Sequence, residues 1–283
     1  MSARVAVVGH VEWGEFAVID HVPAPGEIEH ADSAFELVAG GGSVAAVQLR
    51  KLAGAAQFFT ALGDDARGRR AVAGLRELGV DVRAALRSDE ETRRAFVWLT
   101  ADHERTITVL GERLAPLGAD ALPWSELDSA DAVYFTGGDD AALRHARRAR
   151  VVVASSRALD VLRGSGVTLD VLVLSATDAG ESYADGTLQP APRYVVRTHG
   201  AEGGQWVGAD HKTGTWGAAD VPGEPVDAYG CGDSFAAGLT YGMAAGLGID
   251  GALELAARCG AACLTGRGPY AGQLEEAGLP SDE

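Results

Sequence analysis

The stretch Asp227-Ala-Tyr-Gly-Cys-Gly-Asp233-Ser-Phe-Ala-Ala-Gly238 decides how this chain is read. Three small residues, Gly230, Cys231 and Gly232, run into an aspartate, and Phe235, Leu239 and Met243 then recur at helical spacing. Asp233 is therefore expected at or just inside a helix start. A turn without bulky side chains lets backbone N–H groups converge, and the helix N-terminus adds partial positive charge, which together suit an anion. A loop that merely caps a helix would explain the glycines. It would not explain the carboxylate, whereas phosphoryl transfer would, because the attacking hydroxyl needs a base.

The rest of the composition narrows the field. The chain has 283 residues, 47% of them hydrophobic and 23% charged, with a formal net charge of −16. That charge argues against nucleic-acid and anionic-membrane partners. No apolar run approaches the roughly 18 residues of a membrane span. Met1-Ser-Ala-Arg4 runs directly into Val5-Ala-Val-Val8, which reads as a first strand rather than a signal peptide. Three cysteines, Cys231, Cys259 and Cys263, without framework spacing imply reduced thiols and a cytoplasmic protein. Cys259 and Cys263 lie one helical turn apart, a spacing read as core packing in the absence of further ligands. Lys51 and Lys212 are the only lysines and neither follows a glycine-rich loop, so a P-loop mechanism is excluded. Phosphate handling has to rest on backbone amides, arginine and a bound cation.

Short apolar runs alternate with helical stretches. Val5–Val8, Gln57–Ala61, Ala132–Thr136, Val151–Ala154, Val171–Leu174 and Tyr194–Thr198 read as buried strands; Val44–Leu52, Ala66–Leu78, Ala141–Arg148 and Ala158–Arg163 read as helices. Asp233–Ala245 and Ile249–Leu264 follow as two helices in series. The alternation predicts an α/β fold, a mostly parallel sheet with helices on both faces. Two hairpins interrupt it: Phe16–Val22 with Ile28–Val38 around Pro23–Gly26, and Arg94–Thr100 with Arg105–Leu110 around a polar turn at Ala101–Glu104. They are expected to form a small lid, over about 11–38 and 92–111, within one domain spanning 1–283, with a loosely held acidic tail after Gly272.

Two further glycine-rich sites precede helices. In Ala39-Gly-Gly-Gly42-Ser43 the backbone can approach a polar ligand and Ser43 can act as N-cap; Gly63-Asp-Asp-Ala-Arg-Gly68 reads as a structural turn and cap. Taken in order, Gly40–Gly42 before a helix, Gly63-Asp-Asp-x-x-Gly68, Thr198-His-Gly200-Ala-Glu-Gly203 and Asp227-x-x-Gly-Cys-Gly-Asp233 resemble the ribokinase-like (PfkB) sugar and nucleoside kinases. Pro25-Gly26-Glu27 fits the same pattern, and the resemblance spans roughly Arg4 to Gly272.

The resemblance implies a three-layer fold, ATP as phosphoryl donor, Mg²⁺ carried by the nucleotide, and a small sugar or nucleoside as acceptor. Asp233 would be the base, with the amides of Gly230, Cys231 and Gly232 as anion hole. Thr198, Gly200 and Gly203, with Gly260 on the last long helix, would line the nucleotide cleft, and Asp227 would belong to a loop holding a monovalent cation such as K⁺. Gly40, Gly41 and Gly42 would face the acceptor beneath the lid, and lid segments of this kind can pair two subunits into a homodimer.

Departures from the family pattern are as informative. Where the family often has Asn-x-x-Glu near the metal, this chain has Ser175-Ala-Thr-Asp178, which makes Asp178 the metal candidate, acting through water. Cys231 replaces a usual alanine, and a thiol at a helix N-terminus can have a lowered pKa. Gly14, Gly42 and Ala45 stand where sugar-specific members carry hydrogen-bonding side chains. Glu12, Glu15 or Asp139 could replace some of these, and Trp13 could stack on a ring or exclude water. Two alternatives to a sugar or nucleoside kinase stay open: a vitamin-type kinase acting on a hydroxymethyl group of a heteroaromatic ring, and a catalytically silent nucleotide- or metabolite-binding regulator.

Overall fold

The computed structural model describes residues 3–100 and 105–275. The first strand, β1 (Val5–Val8), is buried on both faces and pairs in parallel with β4 (Ala56–Gly63) on one side and β8 (Ala132–Phe135) on the other. From β8 the sheet continues in parallel through β9 (Val151–Ser155), β10 (Val171–Ser175) and β11 (Tyr194–Thr198); β5 (Asp81–Arg87) extends it beyond β4. The antiparallel strands β12 (Gly204–Gly208) and β13 (Thr213–Trp216) complete nine strands in the order β13-β12-β11-β10-β9-β8-β1-β4-β5.

The two-residue period of β1 divides the core. Val5 and Val7 join Val44 and Leu49 of α1 (Gly41–Ala53), Leu239 of α5 (Cys231–Ala245) and Leu253 of α6 (Gly248–Cys263). Ala6 and Val8 join Leu143 of α3 (Asp140–Ala146) and Leu159 of α4 (Leu159–Leu162) on the opposite face. Helices thus cover both sides, as a sheet buried on both faces requires. The remaining helices are α2 (Ala66–Glu77), beside β5 and the small sheet, and the short α7 (Gly268–Ala271).

Four further strands, β2 (Glu12–Val18), β3 (Ser33–Ala39), β6 (Arg94–Leu99) and β7 (Arg105–Leu110), make a second, small sheet in the order β3-β2-β6-β7. Register pairs Glu12 with Ala39 and Phe16 with Phe35, so the first hairpin starts four residues earlier than its apolar pattern suggested. Ile28, expected to open a strand, is 83% exposed in the connection. The second hairpin's arms match expectation, while its turn at Ala101–Glu104 lies outside the described residues, as does the tail beyond Glu275.

Candidate active site

The loops before α1 and α5 meet beyond the carboxyl ends of β1 and β8, the place where open α/β sheets bind ligands. Helix α5 opens there. Its N-cap, Gly230, has φ +86°, and a side chain at this position would meet Pro269 at 2.9 Å and Val44 at 3.0 Å. Both conformation and space therefore require glycine. The first intrahelical bond runs from Ser234 N–H to the Gly230 carbonyl, and Cys231 N–H turns back to Ala228 O at a long 3.4 Å. The N–H groups of Gly232 and Asp233 precede that bond and have no helical acceptor. Gly232 is exposed, with open space where a Cβ would stand.

Asp233 is half-buried in the first turn of α5. Burial pushes its carboxyl up to about 6; Arg157 and Arg105 pull against this, and Glu181 and Glu12 add to it. Across from it stands Gly41, the first residue of α1: a Cβ there would lie 2.5 Å from Asp233 Oδ1. Gly40, with φ +94°, leaves room for the Glu12 backbone and Cγ at 3.0 and 3.2 Å, and its N–H donates to the Tyr229 hydroxyl at 3.3 Å. The loop before α5 and the loop before α1 are thereby stitched together with Glu12 beside them. Glu12 is 8% exposed, its carboxyl is raised by burial against the pull of Arg93 and Arg113, and Oε1 lies 3.2 Å from Arg93 Nε and 3.7 Å from His10 Nε2.

Two carboxylates, Asp178 and Glu181, share one guanidinium that also acts on Asp233. Arg157, just after β9, holds both Asp178 (Nη2 to Oδ2, 2.5 Å) and Glu181 (Nε to Oε1, 2.8 Å). Their other oxygens accept from Gly180 N–H and Ser175 N–H, each at 2.8 Å. These are hard oxygen donors fit for Mg²⁺, but with all four oxygens engaged they suit a hydrated ion held through water rather than direct ligation. Asp227, 2% exposed, accepts from Tyr229 N–H at 2.8 Å and Gly268 N–H at 2.6 Å, and burial raises its carboxyl. A buried carboxylate with only amide partners is a charge that a monovalent cation in the same loop would balance.

Strand β11 ends at Thr198 and the chain turns through Gly200 (φ +59°) and Gly203 (φ +81°) into β12. Together with β13 this turn lines a surface depression of about 440 Å³ formed by His199, Glu202, Gln205, Thr215 and Trp216. The Trp216 ring stacks on Phe235 of α5 at 5.7 Å, which joins the depression to the helix carrying Asp233. Gly260 of α6 lets the helices close up there, its Cβ position lying 3.4 Å from Cys231 O and 3.6 Å from Phe235 Cβ.

A family model described as the pfkB family of carbohydrate kinases matches residues 2–163 and 169–277. The chain belongs to that family. It is 29% identical to an ATP-dependent ribose-1-phosphate kinase of Halopiger xanaduensis over 282 residues, covering 91% of this chain and 90% of the relative. It is 34% identical over 164 residues to fructokinase-1 of Zea mays, with 49% of that protein covered. Among solved structures it resembles ribokinase of Arabidopsis thaliana complexed with ribose and ATP (TM-score 0.75, 20% identity, 98% and 97% of the chains covered). Ribokinase of Thermotoga maritima is similar in fold (TM-score 0.77, 17% identity, 97% of each chain). A carbohydrate kinase is thus the enzyme class.

Within this pfkB-family kinase several side chains sit otherwise than their sequence positions suggested. Trp13 faces away from Glu12, its ring under the Arg70 guanidinium at 4.2 Å and its Nε1 donating to Glu36 Oε2 at 3.2 Å. Asp139 caps α3, accepting from Ala142 N–H and Gly118 N–H at 2.7 and 2.8 Å, and Glu15 pairs with Arg94. Gly42 is buried, its Cβ position meeting His10 O at 2.6 Å and the Phe58 ring at 2.9 Å, so it packs against backbone rather than facing open space. Ser43 is no N-cap: Gly40 holds that place, and the Ser43 hydroxyl donates back to Ala39 O and Gly40 O.

The thiol of Cys231 is raised rather than lowered, first by its hydrogen bond with Cys263 and then by burial. Cys263, paired by sequence with Cys259, meets Cys231 instead, and Cys259 packs against Gly238 of α5. Sequence reading missed Glu181, His10, Arg93, Arg113 and Arg157. Their shared signal is that His10, Arg157 and Glu181 follow the carboxyl ends of β1, β9 and β10, while Arg93 and Arg113 flank the second hairpin.

Proposed function

We propose that the chain transfers the γ-phosphoryl group of ATP to a hydroxyl of a small sugar-like or nucleoside-like acceptor, with Asp233 as general base. The observation that carries this reading is the placement of Asp233: its carboxyl is pushed up to about 6 by burial and faces the backbone of Gly41, beside amides with no helical acceptor. A base poised near neutrality can take a hydroxyl proton and release it again. The N–H groups of Gly232 and Asp233, with Cys231 N–H more weakly placed and Gly230 setting the turn, would stabilise charge on the transferring group. Mg²⁺ bound with the nucleotide supplies neutralisation of phosphate charge, and Asp178 with Glu181 would hold its water shell. Thr198, Gly200, Gly203 and Gly260 would form the nucleotide side, and Asp227 would sit in the loop of a monovalent cation.

Gly40 and Gly41, with Glu12 above them, would form the floor of the acceptor side beneath the small sheet. Strand β7 is exposed along its length, with Ile107, Val109 and Leu110 each at least 40% exposed, which supports pairing of two small sheets in a homodimer. The test is ADP release from ATP across a panel of free sugars, sugar phosphates and nucleosides. Turnover with one or more of them is expected; ATP binding without turnover on any would contradict the proposal.

A further inference from the structure

Four guanidinium groups, from Arg93, Arg105, Arg113 and Arg157, act on the small volume around His10, Glu12 and Asp233, in a chain whose net charge is −16. They are unequally occupied. Arg157 is clamped between Asp178 and Glu181. Arg93 Nε lies 3.2 Å from Glu12 Oε1 but is poorly aligned, which leaves a buried donor without a hydrogen bond. Among the described residues no carboxylate is in ion-pair contact with Arg113, whose Nη1 donates to the Arg157 carbonyl at a long 3.5 Å. Burial and then the Arg93 guanidinium pull Arg113 below its ordinary value; Glu12 opposes this and Arg157 adds to it. Burial, followed by Arg113, Arg93 and Arg157, likewise holds His10 well below its ordinary value. Like charges crowded in this way cost stability unless an anion joins them.

Close packing leaves no space for a neutral hydrogen-bonding side chain at Gly14 or Gly42. At Gly14 the Phe16 ring lies 2.5 Å from where a Cβ would stand; at Gly42 the His10 carbonyl does the same at 2.6 Å; and Ala45 is fully buried. From the base, Asp233 meets Gly41, Gly40 meets Glu12, and Glu12 meets Arg93, so the guanidinium end lies along one continuous wall from the reacting end.

We propose that Arg113 and Arg93 form a subsite for a phosphate monoester carried by the acceptor, making the substrate a sugar phosphate rather than a free sugar. This rests on the kinase reading above. A dianion between two guanidiniums matches their forked donors better than a neutral hydroxyl does.

The test compares ribose and fructose with ribose 1-phosphate, ribose 5-phosphate, fructose 1-phosphate and fructose 6-phosphate, by ADP release and, independently of turnover, by calorimetric binding. At least one phosphate should exceed its parent sugar in both kcat/KM and affinity. Arg113→Gln should weaken that phosphate by about 10–100-fold in Kd and KM, with KM for ATP within about twofold and partial recovery in Arg113→Lys. No ADP release with any of the six or with the nucleosides of the panel above, with the binding preference intact, would sink the kinase reading and leave the subsite standing. Equal binding of sugars and their phosphates, or a phosphate affinity unmoved by Arg113→Gln in a folded protein, would overturn the subsite.

Discussion

At the scale of single residues the site depends on what glycine omits. Gly41→Ala would drive a methyl group to 2.5 Å from Asp233 Oδ1, at a helix start where alanine is otherwise well tolerated. Stability should change little, while kcat should fall by roughly 10²-fold, because displacing a base by an ångström is costly; circular dichroism melts alongside steady-state rates would check both. The Asp233 carboxyl, raised to about 6, is deprotonated above that value, as the proposed base must be. The profile of kcat/KM should accordingly fall on the acid side with an apparent pKa near 6. A limb near 4, the ordinary carboxylate range, would show that burial does not control the base. The place of Asp233 in the first turn of a helix was legible in Gly230-Cys-Gly-Asp233, since glycines running into an apolar period of about 3.6 mark a helix start. The guanidiniums were not, because Arg93, Arg113 and Arg157 are far apart in sequence and an arginine in a polar loop is ordinarily solvated.

At the scale of elements, Asp65 couples a helix to the small sheet. Its carboxylate caps α2, accepting from Gly68 N–H, and also takes Thr92 N–H, both at 2.7 Å, just before β6. Burial would raise this carboxyl, yet the Gly68 and Thr92 amides and the Thr92 hydroxyl outweigh it and hold it below its usual value. A depressed carboxyl stabilises the fold above its unfolded pKa of about 4, and that contribution disappears as pH falls through the folded value. Asp65→Ala should therefore cost about 1–2 kcal/mol at pH 7, with the difference from the parent shrinking toward pH 3 in chemical denaturation. Most parallel strands announced themselves as apolar runs, Val5–Val8 and Tyr194–Thr198 among them. β5, β12 and β13 did not: β5 is an edge strand with charged ends at Asp81 and Arg87, and β12 is a five-residue segment bounded by Gly204 and Gly208. Strands at or next to a sheet edge draw their order from a neighbour rather than from their own pattern.

At the scale of the whole molecule, chemistry and acceptor are assembled from different parts. The parallel sheet and α5 fix Asp233, the amides of the first turn and the carboxylates held by Arg157, and the small sheet carries Glu12, paired with Arg93. The order of glycine motifs was enough to read the family and the fold from sequence, because such motifs mark close backbone approaches. The acceptor half depends on side chains meeting across the two sheets, which no local pattern encodes. The central claim is that Asp233 removes the acceptor's proton. The most direct test is kcat of Asp233→Asn with ATP and whichever acceptor the parent enzyme turns over, measured beside the Kd for ATP. A loss of about 10²–10⁴-fold or more in kcat is expected, with the Kd for ATP within about twofold of the parent. Parent-like turnover in Asp233→Asn would contradict it.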